Sequence, residues 1–430
     1  MTLNVWSDGS IVGMLSMAES EPFYGFAYDE AYLASPSARP LSLSLPLQAG
    51  RFPGEMALPF FEGLLPEGQV RDDVARQLHV SPHSPSALIR ELGCDCAGDI
   101  VILEQDEPYA TPSVDEYALL KGGLASIAAD PRARISEIRL THRLSLAGGQ
   151  EKVALFHDFA CDLGEGWYAP VNGSPSSHIV KPQISSAYPN LALNEFLCMR
   201  AAGTLGIQVA KADILPGEVP LLVVKRFDRE ETGTVSGRGL PVLHRIHQED
   251  FCQALGVQSA FKYEDRQTSY LNAMVDVVVR HARRPIDVLA RLFGLMAYNY
   301  LIGNCDAHLK NYSLLHDGIG RVSLAPAYDL VSTAVYDGLF GTKLSRSMGI
   351  RMGMHTSIDK IDKGDIDRVA ATLHQPKQVA TETLSALAAG LESAFAQAAA
   401  EAKAAGFADA DALAARILAC AEPRLRVLGC

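Results

Sequence analysis

Between Pro285 and Ile302 the residues Val288, Leu289, Leu292, Phe293, Leu295 and Met296 recur at positions that cover most of a helix's circumference. A helix apolar on nearly every side must be packed on nearly every side, so this segment demands a helical layer built around it. Pro285 holds the favoured first helical position, and Gly303 stands where a left-handed residue closes a helix. The chain that leaves Gly303 therefore starts from a rigid anchor. The run from Val288 to Gly303 is the most apolar in the chain, yet Arg291 interrupts it and it is too short to span a membrane.

After the anchor comes Asn304-Cys305-Asp306-Ala307-His308-Leu309-Lys310-Asn311, and further on Ala327-Tyr328-Asp329. Asp306 and Asn311 stand in the D-x-x-x-x-N spacing of a kinase catalytic loop, in which the Asp receives a hydroxyl proton and the Asn holds magnesium. Between them and Asp329 lie two alternating runs, Tyr312–Leu315 and Arg321–Leu324, around His316-Asp317-Gly318-Ile319-Gly320, a hairpin pattern. A hairpin reverses the chain, so Asp329 is expected near Asn311, where a carboxylate and an amide oxygen would give magnesium its hard protein ligands. Asp and Asn also cap turns for purely local reasons. The buried helix before the motif and the hairpin after it are what lift the spacing above chance.

Upstream, Leu144-Ser145-Leu146-Ala147-Gly148-Gly149-Gln150-Glu151-Lys152 places small residues ahead of a strand, so backbone amides over Ala147–Gln150 could approach phosphates. The segment matches neither standard glycine-rich phosphate motif, and a plain hairpin turn fits it as well. Lys181 closes the apolar run His178-Ile179-Val180, as a phosphate-reaching strand lysine would. Glu195 lies on the next helical pattern, where a partner for Lys181 belongs, although helix-surface carboxylates are common. Leu221 to Asp228 runs from a buried strand into a polar connection, the place for a hinge that offers backbone groups to adenine.

At 430 residues the chain exceeds one hydrophobic core, and three units are expected. Residues 1–110 read as an α+β unit with a hairpin about Gly9-Ser10, a helix through Val70, Val74 and Leu78, and a strand at Ile100–Leu103. Residues 111–135 read as a connection, 136–240 as a strand-rich lobe, and 245–430 as helical apart from one hairpin. The net charge of −12 excludes a surface devoted to nucleic acid. Eight irregularly spaced cysteines read as reduced thiols, and Cys94-Asp95-Cys96 lacks the further ligands of a zinc site. With no secretory signal at the N-terminus, a cytoplasmic protein is expected.

Taken together these stretches resemble the HipA family of kinase toxins from bacterial toxin–antitoxin systems. Ala38-Arg39-Pro40-Leu41-Ser42-Leu43-Ser44-Leu45-Pro46-Leu47 and Phe60-Phe61-Glu62-Gly63-Leu64-Leu65-Pro66 are similar to signatures of its N-terminal subdomain, and Ser145 to Lys152 to its phosphate loop. Asn304 to Asn311 and Tyr328-Asp329-Leu330 are similar to its catalytic and metal motifs. The resemblance implies an α+β fold with a two-lobed, protein-kinase-like core, strand-rich then helical, behind an extra N-terminal α+β subdomain.

It further implies ATP and Mg2+ as cofactors, Asp306 as the catalytic residue and Asn311 and Asp329 as metal ligands. ATP contacts would come from Ala147, Gly148, Gly149, Gln150, Lys152, Lys181, Lys225, Phe227, His308 and Lys310, with Ser145 the regulatory phosphosite. The implied partners are a helix-turn-helix antitoxin of the HipB type, operator DNA mainly through that antitoxin, and a protein substrate such as an aminoacyl-tRNA synthetase. Two positions depart from the family pattern: Lys225, often acidic, and Cys305, elsewhere a small hydroxyl residue. A small-molecule kinase and a catalytically silent, antitoxin-binding co-repressor are the alternative readings.

Overall fold

A computed structural model describes residues 2–16, 25–107, 109, 117–264, 269–339 and 344–429. Thr2–Ser7 and Ser10–Ser16 form the expected hairpin, closed by Asp8 and Gly9 in the left-handed region (φ 47° and 73°), the two-residue turn that matches strand twist. With Gly25–Tyr28, Arg51–Pro53 and Ile100–Glu104 they make a five-stranded antiparallel sheet. Helices Gly54–Glu62, Gly68–Gln77 and Pro85–Leu92 bury Phe60, Phe61, Val74 and Leu88 against it.

A second sheet has six strands, in the order Ala212–Leu215, Leu221–Lys225, His178–Pro182, Val153–His157, Trp167–Pro170 and Tyr117–Leu119. Residues 117–135, read from sequence as a connection, belong to this unit. Tyr117–Leu119 is its edge strand, and helices Gly123–Ala129 and Pro131–His142 bury Leu124, Ile127, Ile135 and Ile138 in its core. Asp130 caps the second helix ahead of Pro131, accepting from the Ala133 amide, a start signal that the charged surroundings hid. Residues 110–116 lie outside the described residues.

The connection after the hinge also proves more ordered than its polarity suggests. Arg229–Val235 pairs with Pro241–Arg245, and Gln248–Asp250 adds a third strand to the hairpin Ser313–His316/Val322–Leu324. The rest of the C-terminal half is mainly helical, with a small two-stranded sheet, Ser347–Met352 and His355–Ser357. The helix Pro285–Ile302 runs as expected from its proline to Gly303, at φ 71°, and twelve of its residues are buried. Around it pack Leu191–Thr204, Tyr270–His281, Lys377–Ala404 and Ala410–Leu428. Among the described residues no helix is long and apolar enough to cross a membrane.

Buried charge joins the N-terminal unit to the strand after the hinge. The Asp95 carboxylate, fully buried, accepts from Arg229 at 2.9 Å, Arg245 at 2.8 Å and Arg226 at 3.3 Å. Asp228 takes two further bonds from Arg226, at 2.9 and 2.7 Å, and one from the Gly98 amide at 2.7 Å. Cys94 and Cys96, beside Asp95, are buried free thiols, so the segment works through its carboxylate.

Burial alone would raise the Asp95 pKa, but Arg229, Arg226 and Arg245 hold it far below the usual carboxylate range. A carboxylate with a depressed folded pKa contributes its stabilisation above the unfolded value of about 3.9 and loses it as pH falls below that. Replacing Asp95 by Asn leaves three buried guanidiniums facing a neutral amide and should cost about 3–5 kcal/mol. Urea titrations of Asp95→Asn should show this loss near neutral pH and a shallower decline than wild type below about pH 4; equal midpoints would refute it.

Candidate active site

Gly303 fixes the exit of the central helix, since a Cβ there would meet Ala334 at 2.6 Å and Arg424 at 2.7 Å. The loop is then pinned by its own polar groups. The Cys305 amide donates to Thr333 Oγ1 at 2.9 Å, Thr333 Oγ1 donates to the Gly303 carbonyl at 3.0 Å, and the Asp306 amide donates to Asn304 Oδ1 at 3.2 Å. These bonds leave the Asp306 carboxyl directed into a cleft of about 710 Å³. Partial enclosure pushes its pKa above the usual carboxylate range, although Tyr263 donates a hydrogen bond to it.

Asn311 donates its side-chain amide to the Asp306 carbonyl at 3.1 Å, which leaves the amide oxygen as the group available to a cation. The hairpin brings Asp329 back to the same cleft as Asn311. Tyr328 fixes the return: its hydroxyl donates to the Lys310 carbonyl at 2.6 Å and lies 2.6 Å from Ser313 Oγ. Asp329 itself sits in the left-handed region at φ 53°, which aspartate tolerates better than most side chains.

Lys181 holds two carboxylates. Its ammonium lies 2.7 Å from Glu195 and also donates to Asp329, so Glu195 on the helix Leu191–Thr204 is the partner left open by the sequence. Burial and the neighbouring Asp329 push the Glu195 pKa up, against the pull of Lys181; at Asp329, Lys181 and Lys152 outweigh burial and pull the pKa down. Two carboxylates on one ammonium titrate as a unit. Lys152, deep in the same cleft, is pushed down to about 8 by burial.

Ala147, Gly148, Gly149 and Gln150 line the cleft. Gly148 adopts φ 101°, and a Cβ there would lie 2.9 Å from the Lys152 ammonium, so the glycine leaves room for a lysine directly beneath the loop. Ser145 does not line the cleft. It is buried and donates to the Leu64 carbonyl at 2.6 Å. At the hinge Phe227 packs on Tyr328, with ring centroids 5.5 Å apart, while Lys225 turns its ammonium to Glu231, 3.1 Å away, and over the Phe159 ring.

His308 and Lys310 also reach the cleft lining. Burial drives His308 down to about 3, leaving a neutral imidazole whose Nδ1 has no partner among the described residues. The Lys310 ammonium is tied inward, to Glu67 at 2.9 Å, Ser259 at 3.2 Å and the Gly63 carbonyl at 3.1 Å.

Glu67, Lys262 and Tyr263 are cleft residues that the sequence reading missed. Glu67 bridges Lys310 and Lys262, the latter at 2.6 Å, and the two ammoniums overcome its burial to hold it near 2. The available signal was the position of Glu67 immediately after the Phe60–Pro66 signature. The N-terminal unit, in which sequence alone saw no demand for catalysis, thus supplies Gly63, Glu67 and Ala97 to the cleft wall.

A strand-rich lobe facing a helical one, with a lysine–glutamate pair on one side and Asp306, Asn311 and Asp329 on the other, defines the kinase-like class of fold. Family models match the HipA N-terminal domain at residues 3–103 and the HipA-like C-terminal domain at residues 144–396. Y4mE of Sinorhizobium fredii, named as a candidate kinase, is 38% identical over 84% of this chain and 83% of its own. The serine/threonine-protein kinase toxin HipA of Shewanella oneidensis is 30% identical over 78% of this chain and 76% of its own.

A chain in the solved complex of Shewanella oneidensis HipA, HipB and operator DNA superposes with a TM-score of 0.77 and 26% identity, covering 99% of this chain and 97% of that one. The chain belongs to the HipA family.

The inward posture of Lys310 predicts a structural loss when it is removed. Lys310→Met leaves Glu67 with Lys262 alone and takes from Asp250 a cation 3.6 Å away. Breaking a buried pair in this way should cost about 3–5 kcal/mol, read as a lower urea midpoint. Unchanged stability would show that the ammonium is not committed to these carboxylates.

Proposed function

We propose that this protein is an ATP-dependent protein serine/threonine kinase acting as the toxin of a toxin–antitoxin pair. The observation that carries the reading is the Lys181 ammonium held between Glu195 and Asp329, in the cleft that Asp306 and Asn311 also line. The residues fit Mg-ATP: Gly148 keeps the loop clear above Lys152, Lys152 and Lys181 offer two cations to phosphates, and Asn311 and Asp329 offer two hard oxygens to magnesium. Bound there, ATP supplies the phosphoryl group and magnesium neutralises its developing charge.

Asp306 then orients the hydroxyl of a serine or threonine and takes its proton, for which its raised pKa suits it. Lys181 orients phosphate oxygens while Glu195 keeps its ammonium in place, and Lys152 is ammonium over most of the physiological range, losing its charge above about pH 8. Backbone groups around Lys225 and Phe227 meet the base, with the Phe227 ring packed at a tilt against Tyr328. Neutral His308 lines the same volume.

The Shewanella HipA, HipB and operator DNA complex supports a partner of the HipB type; in this reading it is a helix-turn-helix antitoxin that carries operator DNA, with this acidic chain contributing little to the DNA contact itself. The protein substrate is a translation component of the aminoacyl-tRNA synthetase kind, and the site of action is the cytoplasm. Ser145 is the regulatory phosphosite. Its hydroxyl is buried against the Leu64 carbonyl, so it must leave that position to be phosphorylated, and a group of about −1.5 to −2 charge has no place there afterwards. The loop over Ala147–Gln150 is drawn out with it.

Asp306→Asn and Asp329→Asn should each abolish transfer from labelled ATP to protein while circular dichroism stays native, and toxicity should vanish in parallel. Wild-type transfer by either variant, or label appearing only on small molecules, would overturn the reading. Mg-ATP should raise Tm well beyond ATP with EDTA; equal shifts would remove the metal from the account. Incubation with Mg-ATP should add one phosphate at Ser145 and weaken ATP binding, whereas Ser145→Ala should gain none and stay active. An active wild-type kinase with unmodified Ser145 would refute the switch.

A further inference from the structure

Behind the catalytic loop lies a separate cavity of about 240 Å³, walled by Tyr300, Ala334, Ile358, Cys420 and Pro423, with Arg424 at its inner end and Arg346 and Asp359 at its mouth. Arg424, on the helix Ala410–Leu428, is only 5% exposed. Its guanidinium donates from Nε to the Leu301 carbonyl at 3.1 Å, and Nη2 is enclosed with no acceptor among the described residues. Among the described residues no carboxylate forms an ion pair with it, and Asp359 feels its charge only at longer range.

The other charges at the cavity are already balanced. Arg346 donates to Asp337 at 2.9 Å and forks onto Asp359 through two bonds, so the Asp359 carboxylate is answered by its own partner. The charge left over is that of Arg424. A buried guanidinium without a counter-ion is costly, and a guanidinium is well matched to a carboxylate or phosphate, here through the part of it that Leu301 and Gly303 do not cover. The cavity has room for such a group, and the exposed side chains of Arg346 and Asp359 mark its opening to solvent.

We propose that this cavity is a binding site for a small oxyanion, carboxylate or phosphate, which Arg424 receives. The site is distinct from the cleft that holds Asp306, and it touches that cleft's support. Arg424 packs against Gly303, and Ala334, part of the cavity wall, donates its amide to the Gly303 carbonyl at 3.1 Å. An anion seated here braces the residue from which the catalytic loop departs. The inference does not depend on which hydroxyl the enzyme phosphorylates.

The test is thermal melting of the full chain with magnesium and a non-hydrolysable ATP analogue present, so that phosphate subsites of the main cleft are filled. Sodium phosphate and sodium acetate are titrated against sodium chloride at matched ionic strength. A saturable rise in Tm of about 2 °C or more over chloride, absent in Arg424→Met, is the expected result. A rise with phosphate alone marks a tetrahedral ligand, and one with acetate a carboxylate. Cys420→Phe, which fills the cavity and keeps the arginine, should abolish the same rise and serves if Arg424→Met fails to fold. No saturable rise with either anion, or an equal rise in wild type and variant, would overturn the proposal.

Discussion

The arrangement of the three units depends on one buried carboxylate. Asp95 comes from the N-terminal unit, and the three arginines that neutralise it, Arg226, Arg229 and Arg245, come from the hinge and the hairpin beyond it. Neither side is stable alone in such burial: without Asp95 the three arginines share the single carboxylate of Asp228, which reaches only Arg226 and Arg229, and Asp95 without them would be forced to protonate. The cluster therefore does more than add stability. It fixes the angle at which the N-terminal unit meets the hinge, and with it the wall that Ala97 and Glu67 present to the cleft.

Within the cleft the same physics is used at smaller scale. Lys181, Glu195 and Asp329 form a charge set in which one ammonium serves two carboxylates. Glu195 is the more deeply enclosed of the two, its side chain 2% exposed beside the ammonium. Asp329, held in left-handed backbone, lines the cleft and is the more open of the two carboxylates, its side chain 35% exposed. Lys152 under Gly148 adds a second positive charge that burial has made easy to lose.

Much of this was legible in the chain. The helix from Pro285 to Gly303, the hairpin that returns Asp329, and the position of Glu195 relative to Lys181 all follow from local pattern, since each is written within a short window of residues. What was not legible is long-range and polar. Asp95 looked like part of a bland cysteine pair, because its arginine partners lie more than a hundred residues away. Lys310, which the family resemblance implied as an ATP contact, lines the cleft, and its tie to Glu67 could not be read from either local segment. The strand Tyr117–Leu119 was hidden because a three-residue edge strand carries little periodicity, and the short helical pattern after it, Gly123–Ala129, gave no sign from sequence of the sheet it packs on.

Glu67 touches both sides of the cleft at once. Its amide donates to the Gly148 carbonyl of the phosphate-loop segment at 3.0 Å, while its carboxylate grips Lys262 and Lys310 of the helical lobe. In an ordinary two-lobed enzyme the lobes swing about the hinge, and nothing else joins them. Here a third segment is stapled across the opening. Parting the lobes would break a backbone hydrogen bond and two ion pairs together, so the separation of the cleft walls is held as much by the N-terminal unit as by the hinge.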